Sequence, residues 1–277
     1  MRNGGIALVW GPPRSGTTWM YNVVREIMRV CDVDHNGWVQ GQQPPTAAAD
    51  TALVIKAHQA HSLDVIDSLA MLDHVYLVGM FRDPERAFQS LVRTQAASRE
   101  ELLGWLDHDI RSIEQALPRI PGAVVCREEW IESHAAEVIA RLCDWVGVAL
   151  SEAERLTIVE KFAREQVRTT VSQMSLSRGW SDDFRNYDTD SHWHANHIAP
   201  LTYRPVDLTN SERDTLNALR LRVEYVTGTH SLLATVPARR RPPAHHSPSA
   251  DFLTAVARPD PVSRLRRPLT LLKTFGR

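Results

Sequence analysis

The residues best suited to chemistry lie in three short segments, each of which follows an apolar run. In the first, Gly11 and Gly16 bracket a loop that two threonines follow at once, in the stretch GPPRSGTTW. Backbone N–H groups in such a loop, together with the start of a helix, favour an anion. Arginine and hydroxyl groups beside them suit the oxygens of a phosphate. The first segment therefore predicts a site for an anionic ligand.

This loop departs from the nucleotide-triphosphate pattern at one position. In the pattern G-x-x-x-x-G-K-[ST], the lysine reaches the β and γ phosphates and the hydroxyl holds Mg²⁺. Here Gly11 and Gly16 keep the spacing, but Thr17 replaces the lysine. A ligand with a single 5′ phosphoryl group and no requirement for magnesium fits this loop better, with Arg14 as its cation.

The second and third segments add a base and a second anion site. IKAHQAH places Lys56 and His58 after an apolar run, and RDPERAFQS places Arg82 after another, with Ser90 eight positions later. A histidine with a pKa near ~6.5 can accept a proton at neutral pH. His61 is close enough in sequence to His58 to be an alternative base. Because ligands bind outside the carboxyl ends of parallel strands, we expect these segments to line one crevice.

Apolar runs and helical patterns alternate along the chain, and this alternation predicts how the segments are held. Strands are predicted at 6–10, 53–55, 74–81 and 123–126. Helices are predicted at 17–30, 63–72, 84–93, 100–117, 134–146, 152–164 and 210–226. The order predicts a single α/β domain over residues 1–236, with a central, mainly parallel sheet flanked by helices and a P-loop-like strand-loop-helix phosphate site.

Composition favours a soluble intracellular protein. The chain has 277 residues, 43% of them hydrophobic, which is enough for one large core. It contains no run of about 18 apolar residues, and a strand is predicted so early that we expect neither a transmembrane segment nor a secretory signal. Cys31, Cys126 and Cys143 have no C-x-x-C spacing, so we expect reduced thiols and a cytoplasmic location. We expect no nucleic-acid partner, and the oligomeric state stays open.

Two segments stand apart from the alternating pattern. Residues 166–203 are polar and rich in tryptophan and histidine, which is typical of a lid or an acceptor-binding loop. Residues 237–277 hold nine basic and two acidic residues, a net charge of +7, which leaves −8 for the rest of a chain whose total is −1. We expect a flexible basic tail, either solvated or in contact with an acidic surface.

The first motif resembles a known family. PPRSGTTW is similar to the loop P-[KR]-S-G-T-T-W of sulfotransferases that use 3′-phosphoadenosine-5′-phosphosulfate (PAPS). The resemblance implies that the 5′ phosphosulfate is held by Arg14, Ser15, Gly16, Thr17 and Thr18. It also implies that Trp19 lies against adenine.

Further motifs resemble the same family in the same order, from Ile6 to Asn186. RDPERAFQS resembles the segment whose arginine and serine bind the 3′ phosphate, which implies that role for Arg82 and Ser90. IKAH resembles the K-T-H element, which implies that His58 is the general base and that Lys56 assists at the reacting centre. SRGWSDDFRN resembles the lid segment R-K-G-x-x-G-D-W-K-N, which implies that Arg178 and Gly179 close over the 3′ phosphate.

The resemblance predicts a PAPS-dependent sulfotransferase that modifies a hydroxyl or an amine of a small-molecule or carbohydrate acceptor and releases 3′-phosphoadenosine 5′-phosphate (PAP). His58 would act as base, while Lys56 and Arg14 would stabilise charge on the leaving phosphate. We expect no metal, because the histidines in HWHANH (192–197) lack acidic or cysteine neighbours in a metal-binding spacing. A P-loop kinase-like phosphotransferase and a non-catalytic nucleotide-binding scaffold stay open as alternatives.

Overall fold

Five parallel strands form the centre of the computed structural model. The structure describes residues 5–40, 51–58, 63–72, 74–178, 191, 193 and 205–234. At residues 63–64 and 174–178 it describes the backbone but not the side chains. The strand order in the sheet is β2-β3-β1-β4-β5. All the pairings between these strands are parallel, which confirms the predicted α/β class with a parallel sheet. The strands are β1 (Ile6–Trp10), β2 (His35–Val39), β3 (Ala52–Ala57), β4 (Val75–Phe81) and β5 (Val124–Arg127).

The central strand β1 is buried on both faces. Its residues pair with β3 on one side and β4 on the other, so that Ile6 lies opposite Leu53 and Val75. Successive side chains of a strand point to opposite faces of the sheet. Accordingly Leu8 belongs to one hydrophobic cluster and Val9 to the other. A strand buried in this way explains the continuous apolar run that predicted it.

Helices cover both faces of the sheet. One cluster includes buried residues of α2, α3, α4 and α9, and the other includes residues of α1, α6, α7 and α8. A short helix, α5, begins directly after β5. The helices are α1 (Thr17–Val30), α2 (Leu63–Ala70), α3 (Pro84–Thr94), α4 (Arg99–Ala116), α5 (Glu128–Ser133), α6 (Ala135–Val146), α7 (Glu152–Lys161), α8 (Arg164–Arg178) and α9 (Asn210–His230).

The structure differs from the sequence-based prediction at three elements. The strand β2 and the helix α5 were not predicted. The first part of the predicted 166–203 loop is helical, since α8 continues to Arg178. In α8, Val167 and Val171 are buried one turn apart, but the residues around them are polar, so the apolar period is sparse. In β2, only Trp38 is fully buried, and its neighbour Gly37 is atypical of a strand.

Three helices have starts that the sequence encodes locally. The helices α4, α7 and α9 each begin with a capping box, at Ser98, Ser151 and Thr209 respectively. In a capping box, the side chain of the N-cap residue accepts from the backbone N–H three residues later, and the carboxylate of that later residue accepts from the N-cap N–H. The carboxylate of the third box, Glu212, also binds Arg99 of α4 at 2.6 Å. This pair ties two helices of one face together. In the described part of the chain, no helix has the length and apolar character needed to cross a membrane.

The glycine directly after β1 is required by close packing. A Cβ on Gly11 would lie 2.5 Å from the carbonyl oxygen of Met80, which is a backbone atom of β4. We therefore expect Gly11→Ala to lower the free energy of unfolding by about 2 kcal/mol, as overpacking does. Urea unfolding followed by circular dichroism measures this change.

Gly104 is the matched control, because a Cβ there meets no atom within 4 Å and the residue lies inside α4. Gly104→Ala is expected to raise the free energy of unfolding by about 0.5–1 kcal/mol. Equal stability of Gly11→Ala and the wild type would contradict the predicted clash.

Candidate active site

The loop between β1 and α1 presents an anion-binding start of a helix. Gly16 occupies the N-cap position of α1 in the left-handed region, with φ of 88°, and provides no side-chain cap. The first N–H groups of a helix carry partial positive charge and favour an anion. Arg14 also has a positive φ, 75°, which is strained for a residue with a side chain. The Ser15 hydroxyl donates to the carbonyl oxygen of Pro12 at 2.7 Å and closes the loop.

The two predicted halves of the anion site meet. Arg14 Nε donates a hydrogen bond of 2.9 Å to Ser90 Oγ, although the two residues are 76 positions apart. Arg82, at the end of β4, points a guanidinium nitrogen at the carbonyl oxygen of Arg14, 3.4 Å away. Ser90 itself is buried on α3. The structure therefore brings Arg14, Arg82 and Ser90 into one cluster.

Lys56 adds a third cation to this cluster. It lies opposite Val9 in the β3–β1 pairing and is 5% exposed. Burial and the nearby Arg14 charge lower the pKa of Lys56 to about 7. Burial and Arg82 likewise lower the pKa of Arg14 to about 10, and burial lowers the pKa of Arg82. Arg82 thus disfavours the charge of Arg14, and Arg14 that of Lys56, and an anion at this position would oppose these effects.

His58 lies at the same edge of the sheet, directly after β3. Its Nδ1 is 3.2 Å from the carbonyl oxygen of Gly11 and 3.3 Å from Thr17 Oγ1. A carbonyl oxygen can only accept, so the Gly11 contact is a hydrogen bond when Nδ1 carries the proton. In that tautomer, Nε2 keeps a lone pair and can accept a proton. Gln40, at the end of β2, accepts from the backbone N–H of His58 at 3.2 Å.

The helix α5 closes the cluster on the β5 side. Glu128 Oε2 lies 3.3 Å from Arg82 Nε, and burial raises the pKa of Glu128 despite the arginine. The next residue, Glu129, accepts from the backbone N–H of Asp83 at 2.9 Å and from Arg127 Nε at 3.0 Å. The turn from β4 to α3 is thus held by a carboxylate of α5.

The remaining residues predicted to hold the phosphosulfate and adenine lie at the start of α1. Thr17 and Thr18 are 2% and 4% exposed. Trp19 is 8% exposed and donates its indole N–H to the carbonyl oxygen of Phe162 at 3.0 Å. In this structure Trp19 therefore packs against the end of α7, and its contact with adenine stays a prediction.

Several predicted residues cannot be placed relative to the cluster. Arg178 ends α8 and is described by its backbone alone. Gly179, His61, most of the 192–197 histidine segment and the basic tail at 237–277 lie outside the described residues. The roles predicted for them stay predictions.

The sequence did not reveal Gln40, Glu128 and Glu129 as members of the site. Gln40 follows β2, and this strand was not predicted because its sequence is largely polar. The two glutamates stand in CREEW, directly after a predicted strand, and that position was the signal available.

A separate groove lies along α1, away from the cationic cluster. Its volume is about 830 Å³, and it runs between α1, α7 and α8. Asn22, Arg25, Glu26, Lys161 and Trp193 contribute to its walls. Trp193 belongs to the segment 166–203 that was predicted to be a lid or an acceptor-binding loop, whereas none of the predicted catalytic or cofactor-binding residues lines the groove within the described part of the chain.

Comparison with known proteins gives distant likenesses in structure only. No family model and no curated protein matches the chain. A mouse sulfotransferase, SULT7A1, complexed with PAP is similar with a TM-score of 0.48 and 11% identity, over 84% of this chain and 88% of that one. Retinol dehydratase is similar in a complex with androsterone and inactive cofactor PAP (TM-score 0.49, 13% identity, 82% of this chain and 81% of that one). A further complex of retinol dehydratase, with retinol and PAP, is similar with a TM-score of 0.48 and 14% identity, over 82% of each chain. Because these likenesses are distant, function has to be inferred from the side chains that this chain brings together.

The low pKa of Lys56 predicts a pH-dependent stability that needs no ligand to be seen. Between pH 7 and the ordinary lysine value, the unfolded chain binds a proton that folded Lys56 has lost, so stability rises with pH in this window. Relative to Lys56→Met, we expect the wild type to gain about 1 kcal/mol per pH unit from pH 7 to pH 9. Urea unfolding at intervals of one pH unit measures the difference.

Lys161→Met is the control, because the Lys161 side chain is 49% exposed. Its stability difference from the wild type should stay flat from pH 7 to pH 9. Parallel pH profiles for the wild type and Lys56→Met would mean that Lys56 is charged throughout this range in the folded protein.

Proposed function

We propose that this protein transfers a sulfuryl group from PAPS to a hydroxyl or an amine of a small-molecule or carbohydrate acceptor. The observation that carries the proposal is the cluster of Arg14, Lys56 and Arg82 beside Ser90 at the carboxyl edge of the sheet. Burial lowers the pKa of all three cations, Arg82 also lowers that of Arg14, and Arg14 lowers that of Lys56. Such a cluster favours a ligand with several negative charges. A nucleotide with phosphoryl groups at both the 5′ and 3′ positions meets that requirement.

The two ends of the cluster suit the two ends of such a nucleotide. The start of α1 and Thr17 provide N–H and hydroxyl donors for a 5′ phosphosulfate. Arg82 and Ser90 provide a guanidinium and a hydroxyl for a 3′ phosphate. Arg14, bonded to Ser90 but belonging to the first loop, lies between them.

His58 is the proposed general base. It takes the proton from the acceptor hydroxyl at Nε2 while its Nδ1–H stays bonded to the Gly11 carbonyl. The acceptor oxygen forms a bond to sulfur as the bond from sulfur to the bridging phosphate oxygen breaks. Lys56 and Arg14 are placed to stabilise the negative charge that this oxygen acquires.

We also propose that the reaction takes place in the cytoplasm. The cysteines Cys31, Cys126 and Cys143 are free. Burial raises the pKa of the Cys126 thiol and raises that of Cys143 to about 11, which keeps both thiols protonated and unreactive. Buried, reduced thiols are typical of proteins of a reducing compartment.

Nucleotide binding tests the proposed donor. We expect PAP to bind with a Kd below about 10 μM in the presence of EDTA, because the site supplies cations in place of magnesium. ATP with Mg²⁺ should bind at least about tenfold more weakly, since the loop lacks the lysine that reaches the β and γ phosphates. Titration calorimetry with each ligand measures both constants.

Arg82→Ala tests the proposed 3′-phosphate contact in the same titration, because it removes that contact. The variant should weaken the binding free energy of PAP by about 1.5–3 kcal/mol, the range for hydrogen bonds to charged groups. Tight, magnesium-dependent binding of ATP without binding of PAP would favour a kinase-like phosphotransferase and contradict the proposal.

Removal of the proposed base separates binding from chemistry. In His58→Ala, turnover of PAPS with an accepted acceptor should fall by about 10²–10⁴-fold, the usual contribution of a general base. PAP affinity should change by less than about threefold, since His58 is not one of the phosphate ligands.

The control for His58→Ala is His134→Ala, an exposed histidine at the start of α6. It should leave both turnover and PAP affinity at the wild-type level. Full turnover in His58→Ala would overturn the assignment of the base. Binding of PAP without turnover of any acceptor in a broad screen would favour a non-catalytic scaffold.

A further inference from the structure

The ion pair between Arg82 and Glu128 is poorly matched for a pair so well shielded from water. The two side chains are 17% and 20% exposed, and the closest atoms, Arg82 Nε and Glu128 Oε2, are 3.3 Å apart. Both atoms are buried, and neither has a hydrogen-bond partner among the described residues. A buried ion pair offsets its desolvation only when its geometry is good. This pair is therefore weakly held.

The charges around Glu128 come from three neighbouring elements. Arg82 at the end of β4, Arg86 on α3 and Arg14 on the first loop are positive, while Glu129 and Glu132 of α5 itself are negative. Burial still disfavours the charge of Glu128, because it raises the pKa of this carboxyl against the effect of the arginines. The carboxylate thus lies at the edge of a cationic site without a strong bond of its own.

Glu128 is not what holds the backbone of the site in place. That task falls to Glu129, which binds the backbone N–H of Asp83. The Asp83 side chain in turn caps α3 by accepting a hydrogen bond from the backbone N–H of Arg86. The same carboxylate pairs with Arg220 of α9 at 2.9 Å. Because these contacts fix the turn without Glu128, its carboxylate can move or lose its charge without loss of the turn.

We propose that Glu128 is an internal counter-ion that competes with the ligand for Arg82 and thereby sets the affinity of the subsite for a phosphate dianion. This inference rests on the proposed function, since it assumes that Arg82 receives the 3′ phosphate of PAPS. A phosphomonoester offers the guanidinium several oxygens and two negative charges, and it displaces a single, badly oriented carboxylate. An anion of lower charge competes less well, so the pair favours nucleotides that carry the second phosphate.

Glu128→Gln tests the competition, because the variant keeps the shape of the side chain and removes its charge. We expect PAP to bind about three- to tenfold more tightly to Glu128→Gln than to the wild type, since a charge beside the phosphate has been removed. Binding of adenosine 5′-phosphate, which lacks the 3′ phosphate, should tighten by a smaller factor, below about threefold, because Glu128 pairs with Arg82 at 3.3 Å whereas its effect on Arg14 is smaller than those of burial and Arg82. Titration calorimetry at constant ionic strength and pH 7.5, with direct and competition titrations, measures both ligands.

Glu132→Gln is the matched control, because it removes the same charge from the same helix. The Glu132 carboxylate pairs with Arg164 at 2.7 Å and is 47% exposed, and its charge acts on Arg82 less strongly than that of Glu128. PAP affinity should change by less than about twofold in this variant. A purely general effect of net charge would instead tighten PAP binding equally in both variants, and would overturn the proposal.

The outcomes separate this inference from the proposed function. If wild-type protein does not bind PAP, the proposed function fails and the counter-ion role fails with it. If the wild type binds PAP but Glu128→Gln binds it equally or less tightly, the counter-ion role alone is wrong. Thermal unfolding checks that the variant is folded. If Glu128→Gln does not fold, Glu128→Asp replaces it, because its shorter side chain moves the charge away from Arg82. This variant has to tighten PAP binding by at least twofold, roughly, for the proposal to stand.

Discussion

The structure depends on one electrostatic constraint: three cationic side chains are held close together, largely away from water, at one edge of the sheet. Burial disfavours the charged form of Arg14, Lys56 and Arg82 alike. Such a cluster lowers the stability of a folded protein unless an anion compensates for it. The structure holds it through specific contacts, since Arg14 binds Ser90 and Arg82 binds the carbonyl oxygen of Arg14.

The strand order explains how so few connections bring the cluster together. Because β1 lies between β3 and β4, the described residues that directly follow these three strands are neighbours at the carboxyl edge. The β4–α3 turn is then fixed from two directions, by Glu129 on α5 and by Arg220 on α9. These contacts hold the positive charges in place, so a ligand of the proposed kind would lose less free energy to ordering them on binding.

The sequence predicted the elements whose signals are local, and it missed those defined by distant contacts. The bounds of β1 and α1 were predicted correctly, because a continuous apolar run indicates the strand and a regular helical period indicates the helix. The strand β2 was missed because Gly37 reads as a loop residue, although a side chain there would collide with Tyr21. For the site, the residue types predicted a bound anion, which stays a prediction; the structure brings Arg14 and Ser90 into contact. The position of Glu128 was not predictable, because it depends on how α5 packs against the first loop.

The central place of β1 also has a consequence for how the chain acquires its site. The first strand along the chain pairs with β3 and β4, whose partners for Ile6 are Leu53 and Val75, so every contact that builds the sheet is distant in sequence. Sheets assembled from such contacts fold slowly compared with those built from hairpins. During synthesis, β1 and α1 leave the ribosome with apolar surfaces that stay uncovered until β4 has followed. Because Arg14 and Ser90 are 76 positions apart, their contact forms only after α3 has been synthesised and has packed against the sheet.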